Sequence, residues 1–468
     1  MPNGAFPDVM TPADAVMWAI ERDPVLRSTV TTVALLDRAP RFPALRRRLL
    51  DASTVIPRLR QRVARPGWTG GRFRWVEDPA FDIDYHLRRV SPTGPADLDG
   101  VLELARVSAM AGLDRDRPLW EFTVVEGLPG GGAAFVLKFH HCVTDGVGGI
   151  ELAMRLLDGS RRSPTPAPDM PAANGDAAGA GPGLVPGAAG AVGHAALDGL
   201  RLARTAAAAV VRPAAGATAL VDNARWTARL LAPVTEPLSP VMRGRSTVWR
   251  FDAFDVEMTD MKAAAAAAGG SVNDVFLTAV TAGLRRYHRS HGHDPDSLRM
   301  TLPISLRRPG DPPGGNRFTP VRFVVPLGTG HDPGAQARRI GSLVREWRDG
   351  RAPALTDRLA AVLCRLPDDA LTDLFGRMLK NVDFVATNVP GLPVPMYLAG
   401  AELVRQYAFA PLTGAAVNVA LLSHTRWACI GVNADAVAVP DHGLLTACLR
   451  DGFAEAVGVP HLRHPGAA

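Results

Sequence analysis

The run His140-His141-Cys142-Val143-Thr144-Asp145-Gly146 gathers an imidazole base, a carboxylate that can orient it and a glycine turn into one short stretch. Imidazole titrates near neutrality, so it can take a proton from a hydroxyl or thiol and return one later in the same reaction. That chemistry needs a held ring. Asp145 could hold it directly, or could tie the loop by pairing with an arginine from elsewhere, and Gly146 allows the close turn in either case. A competing reading makes one histidine a packed strand-end residue and Asp145 a cap for the next helix. The doublet, the glycine and their setting favour the catalytic reading.

The setting is legible on both sides. Ala134-Phe135-Val136-Leu137-Lys138-Phe139 is a short apolar run with β-branched and aromatic residues, which predicts a strand ending at the histidine pair. From Val147 through Leu157, Ile150, Met154 and Leu157 recur at helical spacing. Adjacent side chains at a strand end point to opposite faces, so only one of the two rings can enter a site. We take His141 as the working base, with Asp145 and Gly146 completing the elbow and His140 in a packed, supporting role. Cys142 is read as a small packed residue rather than a nucleophile. No G-x-S-x-G elbow occurs, so a hydrolase triad is not indicated. Neither a P-loop nor a dinucleotide fingerprint appears, and adjacent strand residues diverge too far to share a metal. A base with no attached nucleophile favours direct attack by the acceptor. Taken alone, the spacing gives a base that moves a proton from a hydroxyl or thiol and nothing finer.

HHCVTDG resembles the HHxxxDG signature of CoA-dependent acyltransferases that share the chloramphenicol acetyltransferase fold, a group that includes peptide-synthetase condensation domains. Further stretches resemble the bacterial wax ester synthase/diacylglycerol acyltransferase family more narrowly. They are Thr11-Pro12-Ala13-Asp14-Ala15, Pro118-Leu119-Trp120, Ser271-Val272-Asn273-Asp274-Val275, Leu302-Pro303-Ile304-Ser305-Leu306-Arg307 with Gly315-Asn316, Thr387-Asn388-Val389-Pro390-Gly391, and Val439-Pro440-Asp441. The resemblance covers both halves in the family's order and leaves only Ser160 to Pro233 without a matching motif.

It implies an α/β fold of two chloramphenicol acetyltransferase-like mixed-sheet domains enclosing a central tunnel that reaches the histidine from opposite faces. It also implies long-chain acyl-CoA as donor and diacylglycerol or a long-chain alcohol as acceptor, giving triacylglycerol or wax ester. Acyl-CoA is then a substrate, with no cofactor and no metal. Arg307 is the candidate partner of Asp145, because fold-mates use an Asp–Arg pair there. Asn273 and Asp274 lie near the family's reaction centre, and Asn273 is a candidate donor to substrate. Two rivals stand beside this reading: an acyltransferase acting on a carrier-bound or polyketide-like acceptor, and a non-catalytic lipid-surface binding protein.

With 468 residues, 47% of them hydrophobic and 21% charged, the chain can fill two domain cores. No stretch reads as a membrane span or a secretory signal, so cytoplasmic residence is expected. The four cysteines are far apart and form no C-x-x-C, which argues against a disulfide framework or a zinc site. The net charge of +6 rests on arginine, since Lys138, Lys262 and Lys380 are the only lysines. That balance suits a phosphate-bearing thioester or an acidic lipid surface, or reflects codon composition. Sparse aromatics beside the arginines argue against nucleic acid.

Three regions follow from the patterning. Residues 1–160 form a mixed α/β domain carrying the elbow. It opens with a helix capped by Thr11, with Pro12 at its first position and Asp14 three residues after the cap. Strands are expected at Thr29–Leu36, Phe73–Val76, Phe122–Val125 and Ala134–Phe139, and Pro118-Leu119-Trp120 is read as a core anchor for strand entry. Residues 161–235 turn rich in Pro, Ala and Gly, then in Ala and Arg. They read as a linker followed by helices that either lie on a membrane or inclusion surface, through Arg201, Arg204, Arg229, Leu200, Trp226 and Leu231, or bridge the domains. Residues 236–468 form a second mixed α/β domain. In it an alanine-rich helix ends at Gly269-Gly270, and Ser271 with Asp274 makes a capping box.

Overall fold

The computed structural model describes residues 7–65, 73–92, 94–144, 146–162, 232–305, 316, 318–328, 332–349, 359–364 and 366–462. Asp145, Arg307 and the whole arginine-bearing stretch from Val192 lie outside the described residues.

The first half runs α1 (Pro12–Ile20), β1 (Thr29–Leu36), α2 (Phe42–Val55), β2 (Gln61–Ala64), β3 (Arg74–Glu77), α3 (Ile83–His86), β4 (Leu87–Val90), α4 (Leu98–Met110), β5 (Trp120–Glu126), β6 (Ala133–His140) and α5 (Gly146–Leu156). The second half runs β7 (Trp249–Glu257), α6 (Met258–Ala268), α7 (Val272–Ser290), β8 (Ser297–Ser305), β9 (Phe318–Pro326), α8 (Pro333–Asp349), α9 (Asp368–Leu379), β10 (Phe384–Leu392), β11 (Tyr397–Leu398), β12 (Ala401–Phe409), β13 (Val417–His424), β14 (Trp427–Asp435) and α10 (His442–Val457).

Two six-stranded sheets result, ordered β11-β12-β1-β6-β5-β4 and β7-β14-β13-β10-β8-β9. Both mix parallel and antiparallel pairs, β4–β5 being parallel in the first and β10–β13 and β10–β8 in the second. This is the two-sheet α/β architecture expected from the sequence. One connection is not: β11 and β12, though they follow residue 236, belong to the first sheet. β12 pairs antiparallel with β1, from Thr31 opposite Phe409 to Leu36 opposite Leu403, with a bulge at Leu35/Leu36. Both faces of that sheet bury apolar side chains. On one face Phe122, Phe135 and Leu36 meet Leu398, Leu403 and Leu422; on the other Val33, Val136 and Val101 meet Trp249, Tyr407 and Phe409. Each core therefore draws on both halves of the chain.

β6, which delivers the histidines, is the strand between β1 and β5 and is almost wholly buried. Lys138 lies within it and is 2% exposed. Its Nζ donates to Ser108 O in the last turn of α4 and to Ala111 O just beyond it, at 3.1 and 3.3 Å, and pairs with Glu121 at 3.1 Å. Burial pulls its pKa below the usual lysine value, and Glu121 opposes that. A buried charge needs such partners, and here they pin β6 to α4.

The second half is clamped by α7 against α10. A methyl group built on Gly283 would lie 2.6 Å from Leu449 Cα, and one on Gly452 would run into the Gly283 backbone. Gly283→Ala and Gly452→Ala are each expected to lower stability by about 1–3 kcal/mol through overpacking. Thermal unfolding of the single variants checks this; unchanged melting at either position would mean the helices can separate without cost. Among the described residues no single helix is long and apolar enough to cross a membrane. α6 and α7 pass such a test only as a pair bent by 98°, and α7 buries most of its residues inside the protein.

Candidate active site

β6 ends where its neighbours can still hold it. His140 N–H donates to Leu119 O at 3.1 Å and His141 N–H to Ser28 O at 2.9 Å, one bond on each side of the strand. Val143 N–H then donates back to His140 O at 3.0 Å and closes the turn. Pro118-Leu119-Trp120 supplies one of these supports. Trp120 is buried, donates from its indole to Leu59 O at 3.0 Å, and stacks on His86, whose Nδ1 donates to Trp120 O at 2.7 Å. The tripeptide anchors strand entry and holds the elbow as well.

The two rings diverge. His140 is 1% exposed, its Nδ1 accepting from Cys142 N–H at 3.0 Å. The remaining ring nitrogen, Nε2, must then carry the proton, and it donates to Glu21 Oε2 at 2.6 Å, with Trp18 edge-on at 5.5 Å. His141 is half-buried and faces the other half of the chain, where Asn316 Oδ1 lies 2.9 Å from its Nδ1. Asn316 Nδ2 donates to His141 O at 2.7 Å and to Asp14 Oδ1 at 2.6 Å, and Asn316 N–H donates to the same Asp14 oxygen at 3.2 Å.

Asp14 reaches this position because α1 starts where the sequence predicts. Thr11 caps it, accepting from Asp14 N–H at 3.2 Å, and Pro12 occupies its first turn. α1 then packs Val16, Ala19 and Ile20 against Leu371 of α9. Asp14 is 1% exposed, and burial pushes its carboxyl up to about 6, against the hydrogen bonds from Thr11 and Asn316 and the attraction of Arg58. The sequence offers Asp14 as a helix-start residue inside one motif and Asn316 as part of another, with no link between them. The structure joins both to His141.

The remaining expected residues fall elsewhere. Asp145 and Arg307 lie outside the described residues, and Gly146 begins α5. Asp274 is buried and closes the capping box, its Oδ2 accepting from Ser271 N–H and Oγ–H, both at 2.8 Å. A methyl group on Gly341 would meet that carboxylate at 2.9 Å, so α8 approaches closely there. Asn273 Oδ1 accepts from Asn388 Nδ2 at 3.4 Å, which joins two of the motifs. Among the described residues no hydrogen bond links Asn273 to His141. Val389, beside Asn388, packs in the same cluster as Phe139 of β6 and Ala153 and Met154 of α5. Gly391, at the β10 irregularity, donates to Ser423 Oγ at 2.8 Å, where a side chain would strike the Ser423 carbonyl.

Cys142 is 1% exposed and packs with Met10, Trp18, Val63 and Trp75. Burial, with Asp14 and Glu21 nearby, raises its thiol well above the usual value, which keeps it protonated and inert. Among the described residues no group of three His, Cys, Asp or Glu could hold a metal ion. What the site presents is one held imidazole at a strand end, braced from the opposite half. Such a ring can move a proton at a stated place.

The family model described as the wax ester synthase/diacylglycerol acyltransferase catalytic domain matches residues 10–276, and that of the WS/DGAT C-terminal domain matches residues 314–456. A Mycobacterium tuberculosis protein assigned by name to the diacylglycerol O-acyltransferases is 38% identical over 96% of this chain and 91% of its own. Another from that organism is 28% identical over 84% of this chain and 83% of its own. Among solved structures, the wax ester synthase/diacylglycerol acyltransferase from Marinobacter aquaeolei VT8 superposes with a TM-score of 0.63 at 21% identity, over 96% of this chain and 100% of that one. The starter condensation domain of rhizomide synthetase, in complex with C8-CoA, gives 0.61 at 15% identity over 98% and 96%. The fold is thus the one these acyltransferases and condensation domains share, and with a catalytic-domain match over more than half its length the chain belongs to the wax ester synthase/diacylglycerol acyltransferase family.

Proposed function

We propose that this acyltransferase moves a long-chain acyl group from acyl-CoA to the hydroxyl of a diacylglycerol or a long-chain alcohol within a ternary complex, with His141 as general base. The observation that carries this is the His141 ring, braced by Asn316 at the end of β6 in a chain of this family. The acceptor's O–H proton passes to the ring while the oxygen attacks the thioester carbon. The tetrahedral intermediate collapses with cleavage of the C–S bond, and the imidazolium returns its proton to the leaving thiolate. The exchange is redox-neutral and its proton account closes, so it calls for no further reactant. The developing oxyanion needs a donor. Asn273 is our candidate, since its Oδ1 is engaged by Asn388 and, among the described residues, no acceptor takes its amide N–H groups. Asp145, in this reading, ties the elbow loop, with Arg307 as its partner.

Product analysis with labelled acyl-CoA and paired acceptors, diacylglycerol against hexadecanol, tests the proposal. Triacylglycerol or wax ester must form, and neither may form with His141→Ala. Direct transfer also predicts that no acyl-enzyme accumulates. Intact-mass analysis after incubation with acyl-CoA alone should show the unmodified chain, and a stable acyl adduct on Cys142 or a serine would overturn the mechanism.

An acceptor that partitions into lipid places the enzyme, in our proposal, at the cytoplasmic membrane face or on lipid inclusions. The arginines and apolar residues between Val192 and Ala232 supply the contact, at about 1 kcal/mol per basic residue near an anionic surface. Liposome flotation should rise with anionic lipid and fall with salt. If charge reversal at Arg201, Arg204 and Arg229 leaves both dependences unchanged, the contact lies elsewhere.

A further inference from the structure

We infer that Asn316, held by Asp14, is a positioning residue that fixes His141 in the Nδ1–H tautomer and so keeps the lone pair on Nε2. The inference rests on the reading of His141 as general base and adds what makes that base competent in its resting state.

The amide's orientation follows from its partners. Asn316 faces the main-chain oxygen of His141 at 2.7 Å, and a carbonyl can only accept, so the group pointing there is the NH2. The second N–H of that group meets Asp14 Oδ1 at 2.6 Å, again an acceptor. The reverse orientation would set the amide oxygen against both of these oxygens. Oδ1 is therefore the atom 2.9 Å from His141 Nδ1, and an amide oxygen has only lone pairs to offer. Nδ1 must carry the proton. A neutral imidazole has only one, so Nε2 holds the lone pair that can accept a hydroxyl proton.

In water the neutral side chain favours the opposite tautomer, with the proton on Nε2, where the ring would offer a donor in place of a base. Asn316 reverses that preference through one hydrogen bond; its Nδ2 bonds to Asp14 Oδ1 and His141 O stop the amide from turning, and its main-chain N–H bond to the same Asp14 oxygen fixes the backbone beneath it. The three residues come from α1, the end of β6 and the segment before β9, so the two halves must be assembled before the base is set. Asn316 is 7% exposed and Asp14 is 1% exposed. Water therefore has little access to replace either partner.

Long-range proton–nitrogen correlation NMR on protein with isotope-labelled histidine reads the tautomer directly, the His141 signals being assigned by their loss in His141→Ala. At about pH 8 the parent ring is expected to be protonated on Nδ1. In Asn316→Leu the proton shifts to Nε2 in most molecules, and kcat falls roughly 10²-fold, while the KM for acyl-CoA stays within about twofold. A parent ring protonated on Nε2 overturns the inference, as does an Asn316→Leu ring with the parent's tautomer. The parent spectrum decides the matter even if the variant fails to fold. If the tautomer is as stated but His141→Ala keeps its turnover, the positioning stands and the assignment of His141 as base fails.

Discussion

His141→Ala is expected to lower acyl transfer by about 10²–10⁴-fold, the usual worth of a positioned general base, with a smaller loss of thermal stability than His140→Ala, since among the described residues only Asn316 Oδ1 loses a partner. The half-buried ring is lost, but the bond from the residue 141 N–H to Ser28 O that holds the strand end belongs to the backbone and survives. His140→Ala should do the reverse. Its ring is buried, donates to Glu21 and accepts from Cys142 N–H, so truncation leaves that main-chain donor unpaired in the interior and the Glu21 carboxylate, among the described residues, with only Arg27 at 3.8 Å. A loss of roughly 1–3 kcal/mol per unsatisfied group is the expected scale. Thiol release under saturating acyl-CoA, read beside the melting temperature of each variant, separates the two. Parental turnover in His141→Ala would remove the ring from the mechanism.

The second large effect concerns Asp14. Its folded-state pKa is raised from 3.8 to about 6, chiefly by burial, while Thr11, Asn316 and Arg58 pull the other way. A raised acid binds its proton more tightly in the folded chain, so its contribution to stability is fully present below about pH 4 and is lost as pH rises through about 6. At neutral pH the net cost is roughly 3 kcal/mol. Asp14→Asn removes the charge yet retains an oxygen that can accept both Asn316 bonds. The variant should melt above the parent at neutral pH, and the two curves should converge near pH 4. A parent no less stable than the variant at pH 7 would mean that the carboxylate is stabilised beyond what its visible partners provide.

Local signals in the sequence were sufficient for most elements. β1 spans Thr29–Leu36 as its apolar run predicts, Gly269 ends α6 in the left-handed conformation (φ 65°), and Ser271 with Asp274 forms the expected capping box. These features depend on neighbours a few residues away. The site depends on neighbours that sequence spacing cannot supply. Nothing about a lone asparagine after a glycine ties Asn316 to a histidine 175 positions earlier or to an aspartate 302 positions earlier. Asp14 hides behind a second, sufficient explanation, since an acid at the third helical position is what a helix start favours anyway. β12 escapes notice for a different reason. Glu402 and Arg405 give Ala401–Phe409 a polar look, but they serve ion pairs, Glu402 with Arg161 at 2.9 Å and Arg405 with Asp255 at 2.8 Å.

β12 also bears on how the protein is made. During synthesis the elbow strand and β1 leave the ribosome long before Ala401–Phe409 exists, so β1 waits with an unpaired edge flanked by apolar faces. A nascent chain in that state cannot bank its first half as a finished unit. A fragment cut at the end of the catalytic-domain match, residue 276, would carry both histidines and still lack a sheet partner, part of each core and Asn316. The two halves would have to be supplied together, in one cell or one tube, for either to fold.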